Sequence, residues 1–295
     1  MRTALAFTLF LLFACITGLL SQDLSALLEE QMSSEKEMVT ATFKSTRVSA
    51  GHSIERAEEG ELDFRITHRF GPVNSGAYEF WGLDQAHIHL GLEYGIKDWV
   101  MIGVGRSTFE KTVDGFAKFS ILRQSKGSQP MPFSLTTLHG VYVNGLRFDD
   151  PEELYTFGHR LSYAHQLFIA RKFSPGFSLQ LMPSYLHQNL VEGPGDPNDL
   201  FGMGVAGRLK LSKRVAFNAE YYHMFLPPQD ELSTELYSPL SLGIDIETGG
   251  HVFQIVLTNT IGMRENAFLG HTTGRWLDGD IHLGFNVSRM FQLKK

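Results

Sequence analysis

From Glu61 onward, apolar and polar residues alternate one by one along most of the chain. The stretch "ELDFRITHRF" sets Leu62, Phe64 and Ile66 against Glu61, Asp63, Arg65 and Thr67. "HIHLGLEYGI" sets Ile88, Leu90, Leu92, Tyr94 and Ile96 against His87, His89, Gly91, Glu93 and Gly95. "FGMGVAGRLKL" and "RVAFNAEYY" repeat the scheme, with Arg208, Lys210 and Glu220 on the polar side. "LSLGIDIE" and "DIHLGFNV" place Asp245, Glu247, Asp280 and His282 there. A strict period of two predicts strands with one apolar and one polar face. Twelve such segments start near residues 61, 86, 99, 115, 132, 158, 176, 201, 214, 240, 251 and 280.

The connections add a second pattern. Those after the second, sixth, eighth and tenth segments are tight: Lys97-Asp98, "SPG" at 174–176, "SK" at 212–213 and "TGG" at 248–250. The one after the fourth, "QSKGSQPM", is somewhat longer. Connections after the odd segments are mostly long, at 71–85, 106–114, 145–157, 188–200, 226–239 and 262–279. Long and short connections alternating through an even strand count predict an all-β fold: an antiparallel up-and-down transmembrane β-barrel of about 12 strands. In such a barrel the long loops lie outside and both termini lie in the periplasm. A soluble lipocalin-like barrel is the alternative, but its apolar face would point inward. Twelve strands enclose too wide a space to fill with leucines, so the polar face is expected inside. Aromatics near strand ends, among them Trp99, Phe109, Phe168, Phe173, Phe177 and Phe285, suit interfacial girdles.

The first sixty residues differ. Arg2, the apolar run Ala4 to Ala14 and the smaller residues up to "GLLSQD" have the layout of a secretory signal, residues 1–21, cleaved after Ser21. A lipoprotein signal, "LFAC" with Cys15 acylated, ranks second because Phe13 is bulky. Residues 22–59 form a short polar N-terminal extension, either periplasmic or plugging the lumen, and the barrel takes residues 60–295. The chain has a single cysteine, so no disulfide supports the fold. Its 29 glycines and 23 phenylalanines, with no long apolar helix after the leader, fit a Gram-negative outer-membrane protein. A net charge of -6 argues against a nucleic-acid partner.

Several stretches resemble a known family. They are "TATFKSTRVSAGHSIE", "ITHRFG", "SGAYEFWGLDQAHIHLGLEYGI", "VGRSTFEKTVDGFAKF", "RLSYAHQLFIARKFS", "FSLQLMPSYLH", "RVAFNAEYY", "GIDIETGGHVFQIVLTN" and "DGDIHLGFNVSR". From about Val39 to Phe291 the chain resembles the β-barrel family called domain of unknown function 5777, found in Bacteroidota. The resemblance implies an outer-membrane barrel and no particular activity. The last strand, ending at Phe291, resembles the signal by which barrel-assembly machinery reads its clients, although "QLKK" follows it.

Candidate chemistry comes from the polar face. Lumen-facing candidates are Arg65, His87, His89, Glu93, Lys118, Arg208, Lys210, Glu220, Asp245, Glu247, Asp280 and His282. Counting Arg69, Arg160 and Arg214 with the bases, and Glu61 and Asp63 with the acids, the two signs balance at seven each. Balance predicts paired networks rather than a ring biased to one sign. His87-x-His89 with Glu93 is a weak metal motif, since zinc wants three or four ligands; no metal or cofactor is expected. In the six long connections acidic residues outnumber basic ones sixteen to five, an acidic rim suited to cations or to divalent ions shared with lipopolysaccharide. Ser162 and His165 fall on opposite faces, and no G-x-S-x-G or H-E-x-x-H motif occurs, so no enzyme is expected. The expected function is a porin-like passive or gated channel for small solutes in contact with outer-membrane lipid. The alternative is a non-conducting scaffold or binding barrel serving a periplasmic partner.

Overall fold

The computed structural model describes residues 36–147, 156–248 and 251–293. The expected leader with Cys15, residues 22–35 of the extension, and the rim acids Asp149, Asp150, Glu152 and Glu153 lie outside the described residues. Twelve strands close into one barrel: β1 Glu61–Pro72, β2 Ala86–Lys97, β3 Val100–Ser107, β4 Val113–Leu122, β5 Ser134–Val143, β6 Leu161–Ser174, β7 Phe177–Gln188, β8 Asp199–Lys210, β9 Val215–Met224, β10 Leu240–Thr248, β11 His251–Thr258 and β12 His282–Gln292. Every strand pairs antiparallel with its chain neighbour, and β12 closes on β1 through pairs such as Asn286 with Thr67 and Phe291 with Leu62. The sheet thereby closes on itself without an open edge, the condition for crossing lipid with strands. Among the described residues no helix is long and apolar enough to cross a membrane.

The strands start within three residues of the positions read from alternation. Two shifts have local causes. β6 starts late because Thr156 and His159 form a capping box around a 3₁₀ turn, Phe157–Arg160. β12 starts at His282 because the Asp280 carboxylate accepts bonds from the Asn74 amide at 2.6 Å and the Arg275 backbone N–H at 2.9 Å, holding that residue in the preceding loop.

The described chain falls into two compact units. One combines residues up to Val39 with Gln124–Pro132; in it, Glu37–Met38 pairs antiparallel with Ser125–Lys126. The other is the barrel with everything from Thr40 that packs into it.

Outward positions hold aliphatic and aromatic residues, as on β8 with Phe201, Met203, Val205 and Leu209. Inward positions are not uniformly polar. Leu138, Phe168, Met182, Leu186, Leu200 and Tyr222 all point inward and are buried, forming a core within the barrel. Phe168, expected in a girdle, belongs to this core. These side chains have something to pack against because two chain segments fill the interior. One is the stretch from Thr42 to Ala57, which leads into β1 and so enters from the short-turn end. The other leaves the top of β11 and carries a buried six-residue helix, α1 (Glu265–Gly270), before returning toward β12.

Candidate functional site

The N-terminal filling is a hairpin. Val48 N–H bonds to Gly51 O at 2.9 Å and Ser53 N–H to Thr46 O at 2.9 Å. The tight turn turns three backbone amides one way, toward the Glu220 carboxylate on β9: Ala50 at 2.7 Å, Gly51 at 3.1 Å and Ser49 at 3.4 Å. Amides converging on one carboxylate make a small anion-binding nest, here filled by the barrel's own side chain. The hairpin's carbonyls are met from other strands. Gln254 donates to Val48 O at 2.7 Å, Asn286 to Ser49 O at 2.8 Å, and Gln180 to His52 O at 2.9 Å. Arg69 also reaches Ser49 O, and Lys118 holds Glu55 O. Buried backbone groups that leave the sheet ladder must find partners; the inward polar positions supply them.

Glycine is required at one point of this contact. A Cβ on Gly51 would lie 2.2 Å from the Tyr222 hydroxyl, so the turn reaches its seat only without a side chain.

Near mid-barrel the charges gather on Arg47. Its guanidinium bonds Glu93 of β2 at 2.9 Å and Glu265 of α1 at 3.3 Å, all three side chains at most 2 % exposed. Thr46 also donates to Glu93 at 2.8 Å, and Tyr142 of β5 donates to Glu265 at 2.7 Å. Beside them, the Arg264 guanidinium meets His89 Nδ1 at 2.7 Å while His89 Nε2 meets Asp114 of β4 at 2.6 Å. Arg65 bonds Asp63 at 2.7 Å and the hydroxyls of Ser45 and Thr46. Arg47 carries its charge firmly. Burial alone would lower its affinity for a proton, but Glu93 and Glu265 outweigh that and raise it.

The twelve lumen candidates do not share one fate. His89, Glu93, Lys118, Arg65 and Glu220 are buried in contact with the two fillings. Arg208 pairs with Glu247 at 2.8 Å, Glu247 also meets Lys44 at 3.4 Å, and Asp245 accepts from Gln254 at 2.8 Å. His282 bonds Phe70 O at 2.8 Å and His87 lies near the Phe109 ring. Lys210 has inward parity but sits exposed at the short-turn end. Asp280 is a correction: it lies in the loop before β12, half-exposed, and not in the lumen wall. Arg160 and Arg214 precede their strands and are likewise outside the wall. The His-x-His motif does not converge on an ion position; His89 is spent on Asp114 and Arg264. Among the described residues no group of three His, Cys, Asp or Glu could hold a metal.

Sequence reasoning missed Arg47 and put three buried charges in the outer loops. Asp114, Arg264 and Glu265, counted on the acidic rim, are buried inside. A signal existed: "GMRENAFLG" places Arg264 and Glu265 between apolar Met263, Phe268 and Leu269, unusual for a solvated loop. Ser162 points inward and His165 outward, so they are separate.

Above α1, at the long-loop end, lies a cavity of about 530 Å³. Asn266, Gly270 and His271 line it from the helix side, Ser162, Gln188 and Leu200 from the wall, and Glu110, Arg160, Glu192 and Asp196 from the loops. Its chemistry is mixed, with donors, acceptors and the Phe109 ring, as in sites for small polar molecules.

Residues 43–291 match the profile of a family described as membrane-bound beta barrel domain (DUF5777). No curated protein sequence matches the chain. Among solved structures, an outer-membrane channel from Pseudomonas putida F1 is similar over 84 % of this chain and 100 % of its own, at 9 % identity and TM-score 0.50. The NanC porin covers 79 % of this chain and 100 % of its own, at 8 % identity and TM-score 0.46. Outer membrane phospholipase A from Escherichia coli covers 77 % and 92 %, at 10 % identity and TM-score 0.42. Likeness at this level concerns the fold: a closed barrel of the outer-membrane kind.

Proposed function

The chain belongs to the membrane-bound β-barrel family DUF5777, and from that premise we propose that it is a gated channel for small polar solutes, closed at rest. The long loops then face outward and both termini the periplasm, with lipopolysaccharide around the rim. The observation that carries this reading is the double filling of the lumen, joined where Arg47 lies between Glu93 and Glu265. A passive porin needs a continuous watery path; here the interior groups are buried from Thr42 to Ala57 and from Asn259 to Thr272, apart from the margins. A solute collects in the mouth cavity and passes when the hairpin withdraws toward the short-turn end. Alongside the apolar contacts of Phe43, Val48 and Ile54, the hairpin is held by many hydrogen bonds and ion pairs, which water can replace, and these support withdrawal rather than permanent closure. No catalytic step enters this reading.

A second reading, a non-conducting scaffold, is favoured by the apolar contact of Phe268 with Tyr222, ring centres 5.1 Å apart, beside Met182 and Leu186. Single-channel recording in planar bilayers separates the two. The gated channel is expected to be mostly silent as wild type and to show frequent steps as Arg47→Ala. Silence of that variant, with trypsin shown to reach the hairpin, leaves the scaffold. Steady ohmic steps from the wild type would defeat closure at rest.

A further inference from the structure

The mouth cavity has a floor and a rim of different chemistry. Two polar side chains of the floor are buried and line it: Asn266 of α1, 5 % exposed, and Ser162 of β6, 8 % exposed. Among the described residues neither the Asn266 amide nor the Ser162 hydroxyl has a hydrogen-bond partner. Buried polar groups are nearly always paired, so two that face only an open cavity point to a partner from outside. Beside them Gln188 and His271 share a 2.8 Å hydrogen bond, which leaves half of the Gln188 amide unused. The Phe109 ring stands edge-on to His271 at 6.2 Å.

The loops supply the rim. Asp196 is spent on the Gly193 and Ser233 amides, and Glu192 on the Thr234 hydroxyl. Glu110 is not spent: among the described residues its carboxylate meets no donor. Arg160 already donates to the carbonyls of Asn144 and Leu146.

A solute must suit both layers. An anion would meet Glu110, Glu192 and Asp196 against Arg160, and like charge repels it. A simple cation suits the rim but accepts no hydrogen bond, so the N–H donors of Asn266 would stay unpaired. An apolar molecule would leave the whole floor unpaired, a heavily penalised mismatch. Hydroxyl groups both donate and accept. Set around a ring, they pair with an amide, a hydroxyl and a carboxylate at once, and the ring's C–H face fits against Phe109. The volume of about 530 Å³ is that of a small-molecule site.

We propose that the cavity binds a neutral mono- or disaccharide, selected by Asn266, Ser162 and Glu110. The inference rests on the channel reading and names the solute of that channel.

Saturation-transfer NMR tests this on the full chain in phospholipid nanodiscs, free of sugar-headed detergent. The neutral probes are glucose, galactose, mannose, maltose and lactose. Their charged counterparts are glucuronate, galacturonate and the protonated amino sugars glucosamine and galactosamine. At least one neutral sugar is expected to bind, and its charged counterparts about tenfold more weakly or worse. Asn266→Leu is expected to weaken that binding about tenfold or more. Its urea midpoint should hold or rise, because the amide it removes has no partner to lose. Ser162→Ala is expected to weaken binding by a smaller factor. Binding that survives both substitutions, or no signal from any neutral sugar, would overturn the inference and leave the floor to water. A barrel that conducts as Arg47→Ala yet binds no sugar loses this inference alone. One that binds sugar and never conducts loses the channel.

Discussion

Arg47 Nη1 lies 3.3 Å from Glu265 Oε1, and this ion pair joins two chain segments that enter the barrel from opposite ends. With Glu93 as the third member, it ties the N-terminal hairpin at once to the wall and to α1. Removing the cation leaves two buried carboxylates facing each other. Arg47→Ala is expected to weaken hairpin docking by about 3–5 kcal/mol. The measurement is trypsin cleavage at Lys44 and Arg56 in the folded barrel. Adding Glu265→Gln should restore part of the loss, because one uncompensated charge then disappears; unchanged protection in Arg47→Ala would show that the triad holds nothing.

The Gly51–Tyr222 contact gives a steric prediction. Gly51→Ala places a methyl against the Tyr222 hydroxyl and should cost about 1–3 kcal/mol of docking. Tyr222→Phe removes that hydroxyl, so the double variant is expected to recover most of the stability of the Tyr222→Phe barrel. Equal effects of Gly51→Ala in both backgrounds, read from urea midpoints, would rule out the clash.

Glu220 accepts three hairpin amides. Glu220→Gln keeps the shape but loses the charge-assisted bonds, and turns one oxygen into a donor facing N–H groups. A cost of about 1.5–3 kcal/mol is expected. Hydrogen exchange at Ser49, Ala50 and Gly51 should accelerate selectively, and exchange that rises equally across the whole barrel would point to general unfolding instead.

His52 supplies a pH dependence. It is buried with neither ring nitrogen hydrogen-bonded, Nε2 lying 3.8 Å from Glu265 Oε1 and the ring edge-on to Phe116 at 4.6 Å. Burial first, then the charges of Arg47, Lys118, Arg264 and Arg65, push its pKa well below the ordinary histidine range. The docked hairpin therefore holds the ring neutral, while a released one binds a proton below about pH 6.5. Fewer protons bound in the docked state means docking strengthens with rising pH and weakens as pH falls through that value. His52→Phe is expected to flatten the slope between about pH 7 and pH 5.5 and to stabilise the hairpin, since two orphan polar atoms leave the core. A slope unchanged in His52→Phe, followed by trypsin protection, would assign it to other groups.

Much of the wall was legible because its cause is local. A side chain on a strand points opposite to its neighbour, so "HIHLGLEYGI" declares which residues share a face. Asp280 shows the limit: it has the right parity for the wall, yet bonds from Asn74 and the Arg275 N–H keep it in a loop. Lys210 shows another, because parity gives a face and not a depth.

By itself, then, the sequence determined twelve alternating strands, their antiparallel order through long and short connections, and a polar interior with charge of both signs. These follow from the two-residue repeat and from connection length, which act between neighbours in the chain. Only the tertiary structure decided what fills that interior. That Arg47 would find Glu93 and Glu265, and that Glu220 would seat the amides of Ser49, Ala50 and Gly51, depends on barrel closure bringing together residues as far apart as 218 positions. No local pattern encodes such a meeting. Burial makes each of those polar groups costly without its partner, and closure is what brings the partners within reach.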